Sequence, residues 1–467
     1  VREGGVSGNS ARDAPPEGQE GLPVPRRYWA IAGLCLSTAA IVLDGAVVAV
    51  ALPTITRDLG ISPSSSVHVV TIYQLVAVVS LIPMAALGDR LGYRAVYRFG
   101  LSLLTVSVLL CFFVKGLIPL LMLRFAQAIG ASLSLSVSSA LLREVYPARI
   151  LGRGLALNSM IVSVFTSVAP TLGGAILAYA RWPMVFASAV PFALAALLLS
   201  RSMPDPVRRS GSFDFGAALL YGCTMAMLFG AMDGNVGFDP VARVALLAGA
   251  ILLGLNLYRR ESRRERPVIP VDLLRQPVLG LSALGSVLCF MASMAVIVML
   301  PFRLEMLHGF TTPQIGLIMS IWPLTTLVVA PVVGLLSDRI PARLIGTVGM
   351  AVATLALCLL AEMDRGGAAD FYWRLALCAF GFACFTASNA RLILAHSPRD
   401  RAASAGSLIS TARLTGQSMG AILAGTVLSA GAIASGGSFY LLAALTALTG
   451  LCSVSRGAKP GGQSAAQ

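Results

Sequence analysis

The feature that most limits what this chain can fold into is a recurrence. From Trp29 to Val454, apolar runs of around twenty residues follow one another, separated by short Arg-bearing loops. A helix rises about 1.5 Å per residue, so each run is long enough to cross a hydrocarbon layer of roughly 30 Å. Inside such a layer only helices and closed barrels satisfy their own backbone groups. A barrel would read as weakly alternating segments of about ten residues, and these runs are continuous. Only 12% of the residues are charged, against about 25% in a soluble domain. The mean hydropathy is +0.81. The chain therefore reads as an all-α polytopic membrane protein.

Fourteen spans are expected, at 28–52, 67–87, 96–114, 117–142, 154–180, 183–200, 213–232, 241–258, 277–301, 313–337, 342–362, 371–396, 402–430 and 436–454. An even number places both termini on one side. The N-terminus, the loops on its side and the C-terminus together hold 25 Lys/Arg, and the opposite loops hold seven. By the positive-inside rule both termini are expected in the cytoplasm. The net charge of +14 follows this topology and argues against nucleic acid as a partner. Residues 1–27 form a polar tail, expected to be disordered, without the apolar core of a signal peptide. A second short tail covers 456–467. The eight cysteines fall mostly in apolar runs without metal-ligand spacing, as small buried hydrophobes do. His68, His308 and His396 lie near span ends and suggest no metal site.

The chain repeats itself. Asp89-Arg90 with Arg94 follows the second span, and Asp338-Arg339 with Arg343 follows the tenth, at the same spacing and the same kind of turn. Ser138-Ser139-Ala140-Leu141-Leu142 precedes Pro147 much as Asn389-Ala390-Arg391-Leu392-Ile393 precedes Pro398. Spans 1–6 (28–200) and 9–14 (277–455) thus read as two copies of a six-helix bundle. Spans 7 and 8 (213–258) are an inserted hairpin that preserves parity. Parallel repeats of this kind build transporters with the site between the halves near the midplane. The basic loop 259–276, with Arg259, Arg260, Arg263, Arg264 and Arg266, is expected at anionic headgroups.

The double six-span unit and its two Asp-Arg turns resemble the major facilitator superfamily. Leu43-Asp44 followed by Ala51-Leu52-Pro53, together with the inserted hairpin, resembles its fourteen-span drug:proton antiporter branch. The resemblance covers about residues 28–455 and implies a major facilitator fold of 14 transmembrane helices in a bacterial cytoplasmic (inner) membrane. The sequence departs from the family's patterns at Ala85 and Pro341 in the turns. In the fifth span Ala169-Pro170 precedes Gly173-Gly174, and Phe165 stands where an upstream Gly is usual.

Asp44 stands inside the first span, where a carboxylate is costly and usually faces a protein or water-filled interior. It lies eight residues from Leu52, about 12 Å from the outer end. Arg124 lies seven residues inward from Leu117 on the fourth span, about 10 Å from the same face. The two charges share a depth, so an ion pair is geometrically open to them. In the family, an Arg-x-x-Gln-Gly pattern in the fourth span is linked to proton transfer. Arg124 and Gln127 match it, with Ala128 in place of the Gly. The resemblance makes Asp89, Arg90, Arg94, Asp338, Arg339 and Arg343 a cytoplasmic latch. Pro170, Gly173 and Gly174 allow a bend and close helix approach. Arg413 lies mid-span in the thirteenth segment with Gln417 one turn on, facing the interior. Phe290, Met291, Met294, Trp322 and Phe385 are candidates for an adaptable apolar lining. Arg391 is expected to snorkel to the cytoplasmic surface, and Glu305, Asp233 and Asp239 to be interfacial.

The chain lacks a Gly-x-x-x-x-Gly-Lys-Ser/Thr loop and a nucleophile–base constellation. The expectation is a transporter, not an enzyme, without a cofactor and driven by a proton gradient. Its partners are a small-molecule substrate, protons and the bilayer, with no obligate protein partner evident. The leading substrate class is amphiphilic, cationic drugs expelled by antiport. The alternative is a small anionic metabolite held by Arg124, Arg391 or Arg413.

Overall fold

The computed structural model describes residues 22–147, 151–204, 215–232, 239–262, 271–336, 339–363, 367–397, 402–432 and 436–456. The first span is two helices joined at a single residue. Helices α1 (Arg26–Ala46) and α2 (Val48–Leu59) meet at Val47, which keeps helical angles (φ −69°, ψ −25°) and donates its N–H to the Leu43 carbonyl. Helix α3 (Pro63–Leu91) opens on Ser62, whose hydroxyl accepts the Ser65 N–H at 3.1 Å, with Pro63 at the first helical position. Then come α4 (Tyr93–Leu110), α5 (Leu117–Val145) and α6 (Leu151–Tyr179), and the sixth span is split into α7 (Pro183–Ala187) and α8 (Val190–Leu199).

The hairpin is α9 (Phe215–Met232) and α10 (Pro240–Glu261), the latter capped by Asp239, which accepts the Ala242 N–H at 2.6 Å. A four-residue turn, α11 (Val271–Leu274), leads to α12 (Pro277–His308), α13 (Thr312–Leu336), α14 (Ala342–Ala361), α15 (Ala368–His396), α16 (Ala402–Ser429) and α17 (Gly437–Ser455). Among the described residues twelve segments are long and apolar enough to cross a membrane. Two of the fourteen expected spans lie outside that set. The seventh holds a shorter apolar helix, Gly216–Met232, and the thirteenth corresponds to α16.

The packing repeats as well. In the first half α5 packs on α4 and α3, while α1 packs on α6 and α8; in the second, α15 packs on α14 and α13, while α12 packs on α16 and α17. The α4–α5 crossing is a glycine contact: a Cβ built on Gly100 or on Gly130 would stand 2.7 Å from the other's carbonyl oxygen. The α14–α15 crossing uses Gly349 and Gly381 in the same way. Small residues let helix backbones approach where lipid offers no hydrophobic drive for association.

The halves meet through α3 against α16 and α6 against α13, and α9 packs on α3 and α16. α1 begins and α17 ends at the same end of the molecule, the terminal end. The opposite, far end is sealed. There Arg57 of α2 pairs with Glu305 of α12 at 2.8 Å. Ser64, Val67, His68 and Thr71 of α3 face Ala421, Ile422 and Gly425 of α16. Gly174 of α6 meets Gly316 of α13: a Cβ on Gly316 would lie 2.6 Å from the Pro170 carbonyl oxygen. From Met291 to Leu304 every residue of α12 except Ile297 is buried.

Candidate functional site: a buried charge cluster and a mid-depth arginine

The helical rise places Asp44 and Arg124 at one depth, and the packing of α1 beside α5 brings them together. Arg124 Nη1 lies 3.2 and 3.3 Å from the two Asp44 carboxylate oxygens and donates to Gln127 Oε1 at 2.7 Å. Its Nε donates to the Val69 carbonyl of α3 at 3.1 Å. The guanidinium lies over the Tyr73 ring at 4.2 Å, with the Phe186 ring of α7 at 5.3 Å. Gln127 turns its amide to Cys111 Sγ at 3.3 Å. Asp44 and Gln127 are 0% exposed and Arg124 is 1% exposed.

This arrangement is asymmetric. Arg124 has four kinds of support: the carboxylate, an amide oxygen, a backbone carbonyl and an aromatic face. Among the described residues Asp44 has one charged partner. A proton on Asp44 removes the ionic part of the contact and leaves Arg124 its other acceptors. When the carboxylate is neutral, Arg124 keeps hydrogen-bond acceptors and an aromatic face, whereas Asp44 has no second cation among the described residues.

The Val69 carbonyl, Tyr73, Cys111 and Phe186 were not singled out from the sequence. Tyr73 was within reach, because its depth on the second span matches that of Asp44. The others are backbone or apolar groups with no charge to mark them.

The glycines of the fifth span do close-contact work. A Cβ on Gly173 would stand 2.8 Å from Val47, the junction just after Asp44, while Gly174 lies against Gly316 across the halves. Arg94 donates to the Arg201 carbonyl at 3.1 Å, inside the first half. Arg90 and Arg339 are exposed. The Asp89 side chain, Asp338, Asp233 and the loop arginines Arg263, Arg264 and Arg266 lie outside the described residues. Arg343, Arg391, His396 and Arg456 line a cavity of about 270 Å³ at the terminal end of the second half. Arg391 is exposed and donates to the Gly334 carbonyl at 3.4 Å.

The apolar candidates separate. Phe385 is core, 1% exposed, and Trp322 is half-buried with its ring 5.0 Å from that of Phe382. Phe290 and Met294 press on α16 at Gly416 and Gly420. Arg413 is exposed and Gln417 half-buried on α16, apart from the Asp44 cluster. Glu305, expected at the interface, is the far-end partner of Arg57.

Comparison with known proteins agrees with this architecture. The chain is 38% identical over 415 residues to the uncharacterized transporter YebQ of Escherichia coli, covering 88% of this chain and 91% of that protein. It is 28% identical to the riboflavin transporter RibZ of Clostridioides difficile, over 81% of this chain and 83% of that one. Identity to the tetracenomycin C resistance and export protein of Streptomyces glaucescens is 26%, over 89% and 78%. Among solved structures, a bacterial homolog of the lysosomal transporter Spinster in an inward-facing, unoccupied conformation superposes with a TM-score of 0.66. It has 16% identity and covers 94% of this chain and 96% of that one. The sequence profile of the Major Facilitator Superfamily matches residues 34–421, and with two similarly packed sets of helices, the first holding a buried charge pair, the chain belongs to that superfamily of transporters.

Proposed function

We propose that the chain is a proton-coupled exporter of amphiphilic compounds that works by alternating access, with both termini and the terminal end on the cytoplasmic side of a bacterial inner membrane. The observation that carries this reading is the fully buried Asp44–Arg124 pair. An ion pair withdrawn from water is held by geometry and by the bonds that satisfy it. Here the cationic member keeps a carbonyl, an amide oxygen and an aromatic face when the acid is neutralised. Protonation of Asp44 loosens α1 from α5, and the Val47 junction beside Gly173 is where that loosening is transmitted to α6. Bundles 28–200 and 277–455 are the moving bodies, with 213–258 as the inserted hairpin. Asp89, Arg90, Arg94, Asp338, Arg339 and Arg343 latch their cytoplasmic ends. The export name of the tetracenomycin relative supports the direction.

A second reading, transport of a small anionic metabolite, is favoured by Arg413, a mid-membrane cation outside the pair. The riboflavin relative is consistent with a metabolite as cargo.

The test uses inside-out vesicles with an acid interior. Compounds from a panel of dyes, quaternary ammonium salts and organic anions are added and proton release is followed. Release in wild type that disappears in Asp44→Asn is the expected result. Release that persists in Asp44→Asn removes Asp44 from the coupling path. Silence across the panel, with folded protein present, removes the antiport reading.

A further inference from the structure

Arg413 is a mid-helix charge on α16 outside the Asp44–Arg124 pair. It lies eleven residues from Ala402 and sixteen from Ser429, which is about 17 Å and 24 Å from the ends of α16 at 1.5 Å per residue. On insertion scales a guanidinium at such depth costs roughly 2.5–3.5 kcal/mol, so it needs a compensating role. Among the described residues Arg413 makes no hydrogen bond or ion pair.

Its direction follows from the neighbours of α16. At about 100° per residue, Gly416 and Gly420 sit to one side of Arg413, by about 60° and 20°. They face α12, where a Cβ on either would stand 2.9 Å from the Cβ of Phe290 or Met294. Leu414 and Ala421 sit about 100° and 80° to the other side. Leu414 packs on the cluster of Val78 (α3) and Tyr221 (α9), and Ala421 faces α3. Arg413 and Gln417 fill the sector between, on the side of α16 bounded by α12 of its own half and α3 of the other.

Exposure along this sector agrees. Arg413 is exposed and Gln417 half-buried, while Ala424 is 0% and Leu428 9% exposed. A lipid-facing stripe would stay exposed to the helix end; this one closes where the far end is sealed. Among the described residues, the acids nearest the span interior are committed elsewhere, Asp44 to Arg124 and Glu305 to Arg57.

Building on the export reading, we propose that the cargo is an amphiphile bearing a carboxylate, which pairs with Arg413 beside Gln417 while its apolar body lies along the Phe290 and Met294 wall of α12. A guanidinium presents a planar fork matched to two carboxylate oxygens, and a thioether and a ring give an adaptable apolar surface. The expected preference is thus the reverse of the cationic one read from the sequence.

The test compares two xanthene dyes of similar size, fluorescein (carboxylate) and rhodamine 6G (cationic, esterified), by fluorescence polarisation with purified full-length protein in nanodiscs. Wild type is expected to bind fluorescein at least tenfold more tightly than rhodamine 6G. Arg413→Gln should weaken fluorescein tenfold or more and leave rhodamine 6G within twofold, and Arg413→Lys should recover part of the loss. Tighter binding of rhodamine 6G by wild type overturns the inference without any variant. So does fluorescein binding untouched in folded Arg413→Gln, or no binding of either dye by folded wild type. Vesicle transport separates the two levels. Fluorescein bound but never moved defeats the export reading and leaves Arg413 as the carboxylate site. Rhodamine 6G bound and exported with fluorescein ignored keeps export and defeats the assignment.

Discussion

A guanidinium that is 1% exposed persists in the first half because each of its faces is occupied, and the occupants differ in what their loss does. Removing Arg124 leaves the Asp44 carboxylate buried without its cation. Breaking a buried pair from one side costs about 3–5 kcal/mol, so Arg124→Ala is expected to lower the melting temperature in detergent sharply as well as abolish coupling. Arg303 is a different case. It is 1% exposed in α12, and its Nη2 donates to the carbonyls of Ala361 and Met363 at 3.3 and 3.2 Å, with the Phe439 ring 4.9 Å away. It closes the C-terminal turn of α14, where helix carbonyls lack intrahelical partners. Arg303→Met should cost about 2–3 kcal/mol of stability by stranding those carbonyls, while dye preference in the binding assay stays unchanged. A shift in preference would mean that Arg303 acts on the cleft. Asp44 and Arg124 were legible in the sequence because helical rise converts residue number into depth, and Gln127 because it matches the family's fourth-span pattern. Arg303 was not, since the apolar run stops near Pro301 while the helix continues to His308.

At the scale of elements, the contacts between the halves depend on side chains that are missing. Gly316 admits the Pro170 carbonyl of α6, and Gly174 lies flush against it. Gly316→Val would force α13 from α6 at the far end, a steric overlap of the kind that costs about 1–3 kcal/mol. The expected outcome is a shift of the resting population toward a far-end-open form. A cysteine at Ala421, 0% exposed in the sealed seam, should then react with a membrane-impermeant maleimide several-fold faster from outside. An unchanged rate would show that the crossing does not govern the seal. The Pro-Gly-Gly segment pointed to close approach in the sequence, but its partner did not. Gly316 is one glycine in an apolar run, and no periodicity says which helix it will meet. Span boundaries carried the same limit: the split of the sixth span at Ser188 and Ala189 has no charge or apolar gap to announce it.

At the scale of the molecule, the repeat was readable from motif spacing and loop charge sets an expectation for the side of the termini, whereas the conformation was not readable. The same sequence must support both ends of an alternating cycle, whose states differ by a few kcal/mol. The far-end seal has two components of unequal weight. Arg57 is 62% exposed in its pair with Glu305, and such pairs contribute about 0–1 kcal/mol. The α3–α16 and α6–α13 seams bury apolar and small residues over several turns. Glu305→Gln is therefore expected to leave vesicle transport within about twofold of wild type; a tenfold loss would make the ion pair the gate. The seams should be decisive. Ser64 and Gly425 face each other across the α3–α16 gap. In a background depleted of native cysteines, Ser64→Cys with Gly425→Cys, joined by a short reducible bifunctional linker, ties the far end shut. If the halves must part there to release cargo, one cross-link per molecule stops turnover, reductant restores it, and cargo binding from the cytoplasmic side survives throughout. Full turnover with the tether in place would mean that cargo leaves by a route that does not separate the halves.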